Sequence, residues 1–177
     1  MHVGGPCSPI VKVGDRVLRG QLIAEPSGLG ANTHASYTGE VTAVTETDIV
    51  IKADDKQNFD EYVKIPDTKT NLEAIAAAGV VGAGGAGFPT AVKLKTEIPQ
   101  GCFIANCAEC EPLLAHNIHQ IETDAAQLVR GVKYAMEITK APKGYIAIKP
   151  KHKKAVIELI KACRNEDNID VFRLPDM

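Results

Sequence analysis

The sequence predicts an all-β module followed by an α/β domain, and three observations predict it. Through residues 1–66, short alternating apolar runs recur between Gly, Pro, Ser and Asp, and no helical period is sustained. At Thr70-Asn71-Leu72-Glu73 the texture changes to that of a helix start. From there on, helix-like and strand-like segments alternate, which implies parallel strand pairing with right-handed crossovers.

The β-like runs lie at 10–13, 16–18, 21–24, 39–44 and 48–52. Gly14-Asp15 suits one tight turn between them and Gly20 a second. Thr70 and Glu73 have the spacing at which hydroxyl and carboxylate each satisfy the other's end of the first helical turn. The Ala-rich helix that follows stops at Gly79, a suitable residue just past a helix end. Cys102-Phe103-Ile104-Ala105 is too short for a buried helix and is flanked by Gly101 and Asn106, so it reads as a buried strand. Ile118, Ile121, Ala125, Leu128, Val132 and Met136 fall three or four apart, one apolar face of a long helix. Tyr145-Ile146-Ala147-Ile148 reads as a second strand, Val156, Leu159, Ile160 and Cys163 as a further helix face, and 169–174 as a third strand. The expected division is therefore 1–66 for the β module and 67–177 for the α/β domain. Three parallel strands make that domain thin, as expected of a truncated one.

The 177 residues are 45% hydrophobic and 24% charged, an ordinary globular mix able to form a core. Formal charge is -2 with acids and bases scattered, which leaves no basic face for nucleic acid and no polybasic tract for lipid. No apolar run approaches the roughly 20 residues of a membrane helix, and residues 1–9 lack the layout of a signal peptide. A cytoplasmic, soluble chain is expected. Cys7, Cys102, Cys107, Cys110 and Cys163 favour free thiols, metal or redox chemistry over a disulfide framework.

The densest chemical signal is Gly82-Ala83-Gly84-Gly85-Ala86-Gly87-Phe88-Pro89-Thr90. Glycines strip away side chains, so backbone N–H groups can converge on an anion or a flat ring. Pro89 fits the first turn of a following helix whose dipole would point towards a phosphate, and Lys93 could add a full charge. Gly82, Gly84 and Gly87 spell G-x-G-x-x-G, yet a helix rather than a strand precedes the loop, and no Gly-Lys-Ser/Thr follows. Taken alone, such a turn can also be a plain connector.

Two longer strings carry a resemblance. Val11 to Glu25, with Gly14-Asp15 and Gly20, and then Thr38-Gly39-Glu40-Val41-Thr42-Ala43-Val44, resemble the biotinyl/lipoyl-like barrel-sandwich hybrid. The tip of that hairpin, Glu25-Pro26-Ser27-Gly28-Leu29-Gly30-Ala31, has no Lys to carry a prosthetic group, so a structural or docking module is expected. Gly84-Gly85-Ala86-Gly87-Phe88-Pro89-Thr90, Lys93-Leu94 and Asn106-Cys107-Ala108-Glu109-Cys110-Glu111-Pro112 resemble the FMN- and NADH-binding core shared by two families. These are the Rnf-complex C-subunit family, including a branch associated with proline reductase, and the NADH-binding flavoprotein of respiratory complex I. Ala83 and Ala108, where the complex I flavoprotein has Arg and Asp, fit the Rnf side.

The resemblance implies a Rossmann-like FMN/NADH-binding α/β domain after the barrel-sandwich hybrid. It implies that Gly82, Gly84, Gly85 and Gly87 contact FMN through the backbone, that Lys93 faces the flavin phosphate, and that Asn106 meets the ribityl chain or phosphate. Phe88 would stack on NADH, Glu111 would hydrogen-bond its nicotinamide-bearing part, and Glu109 would lie nearby. No residue of the chain is assigned a catalytic or metal-ligating role. The implied whole is an NADH- or ferredoxin-linked oxidoreductase subunit whose [4Fe–4S] clusters lie in a C-terminal part beyond residue 177. Its partners would be other subunits, through which it sits at the cytoplasmic face of a membrane without inserting into it. A fragment of this length is not expected to turn over alone.

Other readings stand beside this one. The chain could be a non-catalytic docking module of an electron-transfer complex. Cys102-x4-Cys107-x2-Cys110 has plant-type [2Fe–2S] spacing, and Cys107 with Cys110 could be a redox pair or two small residues filling a turn. His116, His119 and Glu122 recur every three residues, near metal-ligand spacing and equally an ordinary polar helix face.

Overall fold

A computed structural model describes residues 3–82, 86–109 and 115–175. The chain forms two compact units, Met1–Lys95 and Thr96–Met177.

Among the described residues of the first unit, six short strands build two antiparallel three-stranded sheets. Strands β1 (Cys7–Pro9), β3 (Leu22–Pro26) and β4 (Thr33–His34) form one, in the order β1-β3-β4. Strands β2 (Arg16–Val17), β5 (Gly39–Val44) and β6 (Ile49–Ala53) form the other, in the order β2-β5-β6. Val17, Ile23, Ala35 and Val41 are the buried centre. The run at 10–13 is not a strand: β1 precedes it, and Val13 is 59% exposed on the approach to the Gly14 turn. That turn closes with Asp15 N–H donating to the Lys12 carbonyl and Lys12 N–H donating to the Asp15 carboxylate. Gly14 and Gly20 both hold positive φ, as a tight turn demands. Arg16 and Asp54 pair at the surface, which holds the Asp54 carboxyl below the usual carboxylate range.

Residues 57–65 run back across this module. Val63 N–H donates to the Arg19 carbonyl at 2.8 Å, and the Arg19 guanidinium donates to the Phe59 carbonyl at 2.7 Å. The guanidinium also lies 5.2 Å from the Phe59 ring centre, within cation–π range. Helix α1 (Asn71–Ala77) begins with the capping box that Thr70 and Glu73 predict. It ends in a Schellman turn, in which Gly79 N–H reaches the Ala76 carbonyl and Val80 N–H the Ile75 carbonyl. Asn32 Nδ2 donates to the Ala77 carbonyl at 3.2 Å, which ties the end of α1 to the β module.

In the second unit, β7 (Cys102–Asn106), β8 (Lys143–Ile148) and β9 (Ile169–Arg173) form a parallel sheet in that order. Helices α3 (His116–Thr139) and α4 (Lys153–Ala162) are its crossovers, and both pack on one face, over Ile146, Ile148 and Ile169. The one-turn helix α2 (Thr90–Lys93) belongs to the first unit. Helix α3 is broken at Asp124, whose φ of -148° leaves the helical region while its carboxylate accepts from Gln127 N–H at 2.9 Å. Asp124 thus N-caps a second helical segment without disturbing the apolar stripe. Two expected positions shift: Leu128 is only partly buried where Val129 is buried, and Ile160 is 45% exposed where Ala155 is buried. The other sheet face leaves Ile104 58% and Phe172 52% exposed. Strand β7 is an edge strand, so Cys102 is exposed rather than buried.

Gly79 has φ +66°, and a Cβ there would overlap the Asn32 carbonyl oxygen. Gly79→Ala is expected to cost about 2 kcal/mol, or roughly 4–8 °C in Tm. Gly28, with nothing within 4 Å of a built Cβ, is the control. Gly28→Ala should move Tm by no more than about 1–2 °C in the same thermal melts.

Candidate functional site

The residues that flank the glycine-rich segment pair with one another in antiparallel fashion. Val81 bridges Pro89, Gly82 N–H donates to the Phe88 carbonyl at 3.0 Å, and Thr90 N–H donates to the Val80 carbonyl at 2.9 Å. Gly87 has φ +66°, where glycine carries no Cβ penalty. Pro89 is buried and Phe88 is half-buried. Gly84 and Gly85 lie outside the described residues. Pro89 is the N-cap of α2 rather than a residue of its first turn, and α2 has only four residues. One turn sums few peptide dipoles, so the expected helix-dipole contribution is small and the charge must come from Lys93.

Lys93 supplies it. Its ammonium lies 3.5 Å from the point where a Gly82 Cβ would stand, so the cation faces the side of Gly82 that carries no side chain. Among the described residues no carboxylate pairs with it. A solvent-exposed lysine of this kind beside a glycine hairpin fits a phosphate by the chemistry of its donors.

In the second unit, Asn106 closes β7 at the carboxyl edge of the parallel sheet, the edge at which open α/β sheets bind ligands. Its Oδ1 accepts from Ala108 N–H at 3.0 Å, an Asx turn that swings the chain away from the sheet. Its Nδ2 donates to no described residue and is exposed. Cys107 N–H extends the ladder by donating to the Ala147 carbonyl at 2.8 Å. Glu109 is half-buried, and its carboxylate accepts from Asn117 Nδ2 at 3.0 Å. Lys149 Nζ donates to the Glu109 carbonyl at 3.1 Å. Gly82, Gly87, Phe88 and Lys93 thus group in one unit, and Asn106 and Glu109 in the other. Glu111 and Cys110 lie outside the described residues. Sequence reading missed Lys149 and Asn117. The available signal for Lys149 was a charged residue directly after the apolar strand run, where a parallel strand reaches the binding edge.

The cysteine pattern does not assemble a cluster among the described residues. Cys102 lies on the open face of β7, whereas Cys107 packs against the helix-covered core, so the sheet separates them. Burial pushes the Cys107 thiol up to about 11, away from the thiolate that metal ligation and disulfide exchange need. Glu122 pairs with Lys154 at 3.3 Å instead of joining His116 and His119.

Comparison with known proteins finds two family models along the chain. Residues 1–65 match the RnfC barrel sandwich hybrid domain, and residues 75–177 match the Nuo51 FMN-binding domain. The chain belongs to the Rnf C-subunit family. It is 37% identical to the C subunit of the Na(+)-translocating ferredoxin:NAD(+) oxidoreductase complex of Acetobacterium woodii, over 98% of this chain and 43% of that protein. It is 34% identical to the C subunit of the proton-translocating ferredoxin:NAD(+) oxidoreductase complex of Clostridium ljungdahlii, over 98% of the chain and 42% of that protein. Cobalamin reductase PduS of Salmonella typhimurium is 47% identical over 59% of the chain and 22% of its own length. The chain thus spans about two-fifths of the length of the two oxidoreductase relatives. Among the described residues no helix is long and apolar enough to cross a membrane.

With its thiol at about 11, Cys107 is roughly one part in a thousand thiolate at pH 8. Iodoacetamide at pH 8 should label exposed Cys102 first and reach Cys107 only after urea unfolding, as read by peptide mass spectrometry. The raised thiol contributes stability that is present below about pH 9 and lost as pH rises through about 11, because only the unfolded chain releases the proton in between. Cys107→Ala should flatten that alkaline slope in denaturant titrations.

Proposed function

We propose that the chain is the leading part of an electron-transfer subunit, with a barrel-sandwich hybrid over 1–66 and a Rossmann-like FMN- and NADH-binding domain beginning at 67. The family matches over 1–65 and 75–177 support that division. The observation that carries the reading is the Lys93 ammonium, which faces Gly82 and has no carboxylate partner among the described residues. In this reading Lys93 and the backbone of Gly82, Gly84, Gly85 and Gly87 hold the FMN phosphate. Asn106 Nδ2 donates to the ribityl chain or phosphate. Phe88 offers a flat apolar face to NADH, and Glu111 with Glu109 orients its nicotinamide-bearing part. FMN, when bound, supplies the hydride and single-electron chemistry that no side chain here can perform. The residues bind, orient and exclude water. The [4Fe–4S] centres that carry electrons onward belong to sequence beyond residue 177, and the physiological partners are other subunits of an ion-translocating complex, met at the cytoplasmic side of the membrane.

A docking role for the first unit is compatible with this reading. Tyr37, Phe59 and Tyr62 are 48%, 57% and 54% exposed around Arg19, an aromatic patch in a chain with only 5% aromatic residues. Such patches mark protein contacts.

FMN titration of the full-length natural protein, followed by flavin fluorescence, tests the cofactor reading. Saturable quenching is expected, with Lys93→Ala weakening binding roughly 10- to 100-fold through loss of one charge-assisted contact. Equal affinity in the variant would remove Lys93 from the site, and no binding in the wild type would sink the reading.

A further inference from the structure

The turn that carries Glu109 is held from two separate elements, and neither tie has a role in the reading above. Lys149, the first residue after β8, reaches across the carboxyl edge of the sheet to the Glu109 carbonyl at 3.1 Å. Asn117, in the first turn of α3, donates to the Glu109 carboxylate at 3.0 Å. Between these ties the backbone is already bent by the Asn106 Asx turn, and Glu109 N–H donates to the Cys107 carbonyl at 3.1 Å. A loop leaving an edge strand has few neighbours to fix it, so such cross-links decide its geometry.

We propose that Lys149 and Asn117 are positioning residues that fix Glu109 and, through the shared turn, Asn106 at the binding edge. Lys149 acts on the backbone: a half-buried ammonium with a carbonyl oxygen as its partner holds the turn. Asn117 acts on the side chain and leaves the carboxylate its charge, since an amide donor adds none. The two ties thus fix both the backbone and the side chain of Glu109 beside a site expected to bind FMN and NADH. The functional consequence rests on the FMN reading, whereas the positioning itself does not.

The test therefore has two arms, run on the full-length protein with Lys149→Met, Lys149→Arg and Asn117→Ala. Without flavin, hydrogen exchange read by mass spectrometry at residues 107–109 should speed up about tenfold in Lys149→Met, with the amides of β8 unchanged. In FMN titrations the same variant should bind about tenfold more weakly. Lys149→Arg, which keeps a cationic donor, should recover both to within about threefold, a rescue that a merely bulky side chain would not give. Asn117→Ala should weaken FMN binding less and leave the amide exchange of Cys107 unaltered. Unchanged exchange at 107–109 in Lys149→Met overturns the positioning role. Faster exchange with unchanged FMN affinity overturns its functional consequence. Should the wild type bind no FMN, the flavin reading fails and the exchange arm alone decides the positioning.

Discussion

Strand β8 is hydrogen-bonded along both edges, to β7 and to β9, while Ile146 and Ile148 lie fully covered beneath helices α3 and α4. A central parallel strand buried in this way cannot slip by one residue without turning its apolar set to the opposite face. Gly144 lets α3 approach this strand closely, because a Cβ there would come within 2.5 Å of Met136 Sδ and 3.1 Å of Val132 Cγ1. From that fixed strand follow the positions of Asn106, opposite Ala147, of Cys107, bonded to the Ala147 carbonyl, and of Lys149, one residue past the strand end. The candidate binding edge of the second unit is thus set by packing in its core.

The first unit uses a different device. Its strands are short, and among the described residues its buried cluster is Val17, Ile23, Ala35 and Val41. Close backbone approaches do more of the joining: a Cβ at Gly20 would lie 2.6 Å from the Val63 carbonyl oxygen, and Gly39 and Gly79 sit equally tightly against Lys52 and Asn32. Glycine here is a packing residue as much as a turn residue. Gly82 is looser, since a Cβ there would meet the Lys93 ammonium only at ordinary contact distance.

Much of the fold was legible because it rests on local rules. The capping box at Thr70, the stop at Gly79, the three strands and two crossover helices of the second unit, and their parallel sense follow from spacing alone. The misplacements share one cause, which is that periodicity does not report a residue's neighbours. Residues 10–13 alternate like a strand, yet the pairing edge of β3 is taken by Cys7–Pro9. Ile160 sits on an apolar helical spacing, yet it is 45% exposed while Leu159, Ala162 and Cys163 around it pack on the core. Cys102 opens an apolar strand, yet that strand lies at an edge with an uncovered face. At the candidate site, the glycine string, Lys93 and Asn106 were visible as motifs, whereas Lys149 and Asn117 were not, since each is defined by a contact 40 or 8 residues away in the chain.

The sequence by itself determined the element order, the change from β to α/β texture, the absence of a carrier lysine in the β hairpin, and the family to which the motifs belong. Those depend on residue type and spacing, which the chain states outright. Only the tertiary structure decided which sheet face is covered, that Cys102 and Cys107 lie on opposite sides of the sheet, that Lys93 folds back on Gly82, and that Lys149 and Asn117 hold Glu109. Each of these depends on which surfaces meet after folding, and burial and long-range hydrogen bonding set that outcome rather than local preference.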